Sequence, residues 1–99
     1  MARFSVYAIA GISGYVVDVQ HDILEDIATR VVVPLVPVEG ASLPERRLNP
    51  LFTIEDERVM LLPQQIAAIP KALLKQPVQD LSADADKITA AIDFLMQGF

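Results

Sequence analysis

The single imidazole of the chain is His21, and it stands among carboxylates in Asp18-Val19-Gln20-His21-Asp22. An imidazole beside a carboxylate can serve as a general base or as a metal ligand. A strand, however, sends alternate side chains to opposite faces, which puts Asp18 and Gln20 on one side and Val19 and His21 on the other. The spacing therefore points to a polar strand end rather than to a proton-transfer pair. Ser5, Ser13, Ser42 and Ser82 have neither a nucleophile elbow nor a Ser-Lys context. Glu55-Asp56-Glu57 is a run of carboxylates, but neighbours at a hairpin tip diverge and stay solvated. Arg46-Arg47 is a lone basic doublet without interleaved aromatic residues, so it reads as loop surface. Gly11 and Gly14 follow neither a Walker nor a dinucleotide-binding spacing. Cysteine is absent, which removes disulfides, thiolate zinc sites, iron–sulfur clusters and cysteine nucleophiles. No cofactor and no catalytic constellation is expected.

The elements that would carry a binding surface follow from periodicity. In residues 4–9, Phe4, Val6 and Ala8 alternate with Ser5, Tyr7 and Ile9 until Gly11 and Gly14 interrupt, and residues 15–20 resume the alternation. Residues 30–36 form a third, β-branched run, in which Pro34 lacks a ladder proton and so predicts an edge strand or a bulge. Residues 51–54 and 58–62 flank Glu55-Asp56-Glu57 as the arms of a hairpin. Residues 39–49, with Gly40, Pro44, Arg46 and Arg47, read as a surface loop, and Pro63, Pro70 and Pro77 leave room only for short pieces, with one turn over 64–69. At the end of the chain, Ile88, Ala91, Ile92, Leu95 and Met96 follow the spacing of an amphipathic helix. Ser82 is placed to N-cap it, Asp84 and Asp86 suit its positive end, and Gly98 stops it. Phe94 falls off the apolar stripe and gives the helix a second face.

Ninety-nine residues suffice for one hydrophobic core, so residues 1–99 are expected to form a single domain. The composition is 53% hydrophobic with no Trp, which describes an aliphatic core. The apolar run 31–38 is far shorter than the roughly 20 residues a membrane span needs. The first residues show no cleavable leader pattern, and with the lack of cysteine this fits a cytoplasmic protein. A net charge of −5 opposes direct nucleic-acid binding, which depends on clustered Lys and Arg. A mean hydropathy of +0.39 is high for so small a chain and predicts apolar surface covered by another chain, as in a homodimer.

Several segments, in order, resemble the CcdB toxins of toxin–antitoxin modules. Phe4-Ser5-Val6-Tyr7 is similar to the family's first strand, and Val17-Asp18-Val19-Gln20-His21-Asp22-Ile23-Leu24 to its V-D-V-Q-x-D-I-[IL] segment. Arg30-Val31-Val32-Val33-Pro34-Leu35 resembles its edge strand ending in I-P-L. Leu48-Asn49-Pro50 with Ile54-x-Asp56-Glu57 resembles the middle hairpin, and Ala68-Ile69-Pro70 and Asp80-Leu81-Ser82 lead into the helix. The resemblance covers most of the chain and rests on the shared order of short motifs. It implies a mainly β fold: an SH3-like, partly open barrel with an additional small sheet and a C-terminal α-helix, assembled as a homodimer. It also implies a plasmid-maintenance type of function, in which the toxin inhibits DNA gyrase by inserting between its A subunits and trapping cleaved DNA. A cognate CcdA-like antitoxin then strips it away with a disordered tail.

Carried over by position, the resemblance implies gyrase contacts from Asp18, Ile23 and Leu24, and from Asp93, Met96, Gln97, Gly98 and Phe99. The family ends in Trp-Gly-Ile, its Trp stacking on an arginine of gyrase, whereas this chain ends in Gln97-Gly98-Phe99 and has Asp93 in place of an Asn. Gln97 has no ring for such stacking. A binding module that holds an antitoxin-like partner without toxicity is therefore a second reading. Alternatively, Met96 and Phe99 close the helix against the core or a dimer mate. A MazF-like ribonuclease, which shares the fold, is a third reading, poorly served by eight dispersed basic residues and an unpositioned His21.

Overall fold

Seven short strands curl into a half-barrel with one helix against its concave side in the computed structural model, which describes residues 2–39, 45 and 47–98. The strands are β1 (Ser5–Ala8), β2 (Tyr15–Asp18), β3 (Thr29–Pro37), β4 (Leu51–Ile54), β5 (Glu57–Leu61), β6 (Ala67–Pro70) and β7 (Pro77–Asp80), and the helix is α1 (Ala85–Gln97). Every pairing is antiparallel, in the order β4-β5-β3-β2-β1-β7, and β6 pairs with the first half of β3. The mainly β architecture with a C-terminal helix agrees with expectation. Its small additional sheet is continuous with the barrel through β6.

Alternation selects the core. Val6, Val17, Val33, Leu35, Val59 and Leu61 point to one face, where they meet Phe52, Ile54, Leu81 and the fully buried Ile88 and Ala91 of α1. The opposite face carries a smaller cluster of Tyr7, Val16, Val32 and Leu74. Gly14 opens β2 at φ 88°, and a Cβ there would run into the Leu35 carbonyl of the neighbouring strand. Phe4 holds φ 71° while its ring is buried, an unusual backbone for a bulky residue.

Pro34 does not mark an edge. β3 is the most enclosed strand, with β2 on one side and both β6 and β5 on the other. β6 covers Thr29 to Val32 and β5 begins at Leu35, so Pro34 lies at the changeover between two partners. Its carbonyl accepts from the Leu62 N–H at 2.9 Å. In a strand the N–H and C=O of one residue point the same way, so the missing proton of Pro34 faces the gap and costs no ladder bond with β2.

The 51–61 hairpin forms as expected, with a tighter turn than the acidic triplet suggested. Glu57 belongs to β5 and pairs with Ile54, leaving Glu55 and Asp56 as a two-residue loop with φ of 49° and 69°. These are the positive values of a mirror-image hairpin turn. Gln79 of β7 reaches across to this hairpin: its Nε2 donates to the Thr53 carbonyl at 3.0 Å and its Oε1 accepts from the Glu55 N–H at 3.3 Å.

Two expectations at the helix are corrected. Ser82 does not cap it, because a 3-10 turn (Ser82–Asp84) precedes α1 and Asp84 occupies the N-cap without a side-chain bond; Ser82 instead gives its N–H to Asp80 Oδ1 at 2.7 Å. Met96 is not part of the buried stripe: burial fades from Ile88 and Ala91 through the half-buried Ile92 and Leu95, leaving Met96 72% exposed. Gly98 does stop the helix, in the left-handed conformation at φ 81°, with its N–H donating to the Phe94 carbonyl. Of the 39–49 loop, residues 40–44 and Arg46 lie outside the described residues, so the places of Gly40, Ser42 and Pro44 do too. Asn49 at its end is buried, donating from Nδ2 to the Leu61 carbonyl and to Gln64 Oε1. The turn expected over 64–69 is a 3-10 turn at Pro63–Gln65 followed by β6.

Candidate binding site

The end of β2 and the start of β3 bring together two charges that the sequence separates by 12 residues. Arg30 and Asp18 are both fully buried, with Arg30 Nη2 2.7 Å and Nε 2.9 Å from Asp18 Oδ2. Arg30 Nη2 also donates to the Gln20 carbonyl at 3.0 Å and lies 3.6 Å from Asp22 Oδ1. Burial pushes the Asp18 carboxyl above its usual range, opposed by the hydrogen bonds and charge of Arg30 and by the Gln20 N–H that donates to Asp18 Oδ1. Arg30 Nη1 is buried without a hydrogen-bond partner. Such a pair is costly to desolvate and costlier to break. It survives because both its ends also hold backbone.

What it holds is the 3-10 turn Asp22–Leu24. His21 stands at its N-cap, and the imidazole Nδ1 accepts from the Ile23 N–H at 3.0 Å. Asp22 Oδ1 accepts from the Arg3 N–H at 2.9 Å, while Arg3 Nε donates to the Val19 carbonyl. Farther along, Lys71 Nζ donates to the Glu25 carbonyl at 2.7 Å and the Lys71 N–H to that of Ala28. The turn is thus fastened on both flanks, yet its apolar side chains point outward. Ile23 is 81% exposed and Leu24 45%, and Ile27 follows them. Acidic Asp22, Glu25 and Asp26 are interspersed among these three along the chain.

The second group of candidate residues lies at the end of α1. Asp93, Met96, Gln97 and Gly98 are all exposed, and Phe99 lies outside the described residues. Phe94, which the periodicity set apart, is half-buried with the Arg47 guanidinium 4.4 Å from its ring centroid. α1 packs on the Pro63–Gln65 turn, and farther along the same segment Lys71 binds the 25–28 stretch.

Ile23, Leu24, Asp93, Met96, Gln97 and Gly98, the positions the resemblance carried over, are all exposed. Asp18 is different. It has no exposed area in this chain, so it can support a contact and cannot make one. His21 caps the turn through Nδ1, and among the described residues no cluster of His, Cys, Asp or Glu is arranged to hold a metal ion. Arg30 was not singled out. Its one signal is a charge leading a β-branched run, in alternation with the buried Val32.

An ordered turn and a helix end that each carry outward apolar side chains are surfaces made to be covered. A family model described as CcdB protein matches residues 3–98. The chain belongs to the CcdB family. The match spans the V-D-V-Q-H-D-I-L segment and the helix alike, so both halves of the candidate surface lie within the family's extent. CcdB membership supports a toxin component of a toxin–antitoxin system. Among the described residues, no helix is long and apolar enough to cross a membrane.

Proposed function

We propose that this CcdB-family chain is a toxin that inhibits DNA gyrase by non-covalent binding to the A subunit, as a cytoplasmic homodimer relieved by a cognate CcdA-like antitoxin. The observation that carries this reading is Ile23, 81% exposed on a turn that five side-chain bonds and one buried ion pair keep in place. With the exposed Leu24 and Ile27 it forms an apolar patch of the kind another chain covers. Ile23 and Leu24 would meet the A subunit, with Met96, Gln97, Gly98, Asp93 and Phe99 extending the contact and Asp18 supporting it from beneath. The toxin needs no bond-making step of its own, since trapping a cleaved complex requires only tighter binding to that state. Ile12, Leu51, Ile66 and Leu73 supply further exposed apolar area for the dimer.

Inducible expression in a gyrase-sensitive bacterium tests the reading. Arrested growth with DNA breaks is expected, and normal growth with abundant folded protein overturns it. A second reading is favoured by Gln97, an exposed amide where the family has its aromatic anchor: a module that binds an antitoxin-like partner and spares gyrase. Passing the purified A subunit over immobilised chain separates the two, because the second reading leaves the subunit in the flow-through.

A further inference from the structure

We propose that Gln20 and His21 are positioning residues for Ile23 and Leu24, fixing the main chain of that exposed pair before any partner arrives. The inference rests on reading this turn as the contact surface. Each of the two apolar residues has a backbone group held by a side chain just upstream. The Ile23 N–H donates to His21 Nδ1 at 3.0 Å, and the Leu24 carbonyl accepts from Gln20 Nε2 at 3.1 Å. The Gln20 amide is engaged at its other end as well, where Oε1 accepts from the Val31 N–H of β3 at 3.0 Å. Its own backbone is fastened to the buried pair, N–H to Asp18 Oδ1 and carbonyl to Arg30 Nη2. A continuous polar path therefore runs from the buried guanidinium to the turn that displays Ile23.

Water could satisfy the Ile23 N–H and the Leu24 carbonyl at this exposed place, so the side-chain bonds add order rather than rescue desolvated groups. Order is what a small apolar contact needs. A loop that must be immobilised on binding loses affinity to conformational entropy, and one already fixed does not. Neither Gln20 nor His21 needs to touch the partner for this effect, because each acts through the backbone of the residue that does.

Three variants of the full chain test it. Gln20→Glu keeps an acceptor for Val31 and removes the donor to Leu24. His21→Ala removes the acceptor for Ile23, and His21→Asn restores one, since asparagine is a favoured cap. Amide hydrogen exchange over residues 22–27 is measured on the free chain, with the denaturant midpoint of each variant and its affinity for the purified gyrase A subunit. Gln20→Glu and His21→Ala are expected to speed exchange in the turn and weaken binding, each about tenfold, with the His21→Ala midpoint lowered by no more than the stability to which that tenfold corresponds. His21→Asn is expected to return both quantities to the wild-type values. Unchanged exchange overturns the proposal, and so does faster exchange with unaltered affinity. A wild-type chain that does not bind the A subunit overturns the gyrase reading alone, and the exchange comparison still decides whether the two side chains order the turn.

Discussion

The turn at Asp22–Leu24 and the last turn of α1 both display apolar side chains, yet they are built in opposite ways. The first is fastened by His21, Gln20, Arg3 and, from beneath, by the Asp18–Arg30 pair. The second rests on helix hydrogen bonds, the Gly98 cap and the Arg47 guanidinium over Phe94, and a Cβ at Gly98 would find nothing within 4 Å. One side is a prearranged surface whose shape depends on residues a partner never sees. The other tolerates replacement, because little leans on it. The family's aromatic anchor is missing on the tolerant side, where Gln97 stands.

Removing the foundation of the first region should have the largest effect. Arg30→Met leaves the Asp18 carboxylate buried without its counter-charge, which typically costs about 3–5 kcal/mol near neutral pH, read as a lowered urea midpoint. The pH dependence has a definite sign. The Asp18 carboxyl already lies above its usual value of 3.8, and loss of Arg30 raises it further. The native variant then holds a proton that the unfolded chain has released, so its stability rises as pH falls through that window. The deficit relative to wild type shrinks in acid, and a deficit that grows there contradicts the assignment.

Ile23→Asp separates surface from foundation. With Ile23 so exposed, stability should change by no more than about 0.5 kcal/mol, while affinity for the A subunit falls at least about tenfold, as for a contact anchor. Calorimetric titration beside thermal unfolding reads both. Equal losses in the two would mean that Ile23 holds the fold rather than the partner.

How much of this contrast is legible in the sequence depends on whether the partners are local. Alternation reveals β1 to β5, and the stripe at Ile88, Ala91 and Ile92 reveals α1, because burial on one face leaves a period. β6 and β7 are four residues each and begin or end in Pro, so no period develops. Pro34 suggested an edge because sequence cannot show that one strand hands over to another beside it. The surface positions came from the resemblance and from the helix pattern. Their support did not, since Asp18 and Arg30 meet only once β2 and β3 pair, and Gln20 and His21 act through backbone groups that any residue has.

On the tolerant side the expected effects are smaller. Gly98→Ala places a Cβ at φ 81° with no clash to relieve or suffer, so only the left-handed backbone penalty remains, about 1 kcal/mol by chemical denaturation. A neutral result would mean that the helix end rearranges freely. Gln97→Trp restores the ring for stacking on an arginine, worth ~0.5–2 kcal/mol, and should strengthen binding to the A subunit several-fold with no change in unfolding. No gain from this variant would show that the surface around Ile23, Leu24 and Asp93 has also departed from a gyrase fit.

Gln79 has a bearing on how copies of this chain meet. A primary amide carries the same donor and acceptor as a peptide unit, and Gln79 spends both on the outer rim of β4, at Thr53 and Glu55. That rim is the terminal strand of the sheet, the place where a stray strand from a second molecule could zip on and start a fibril. One glutamine stands in for that intruder, like a stopper in the open seam of the barrel. A strand can add along that rim only after Gln79 releases both of its bonds.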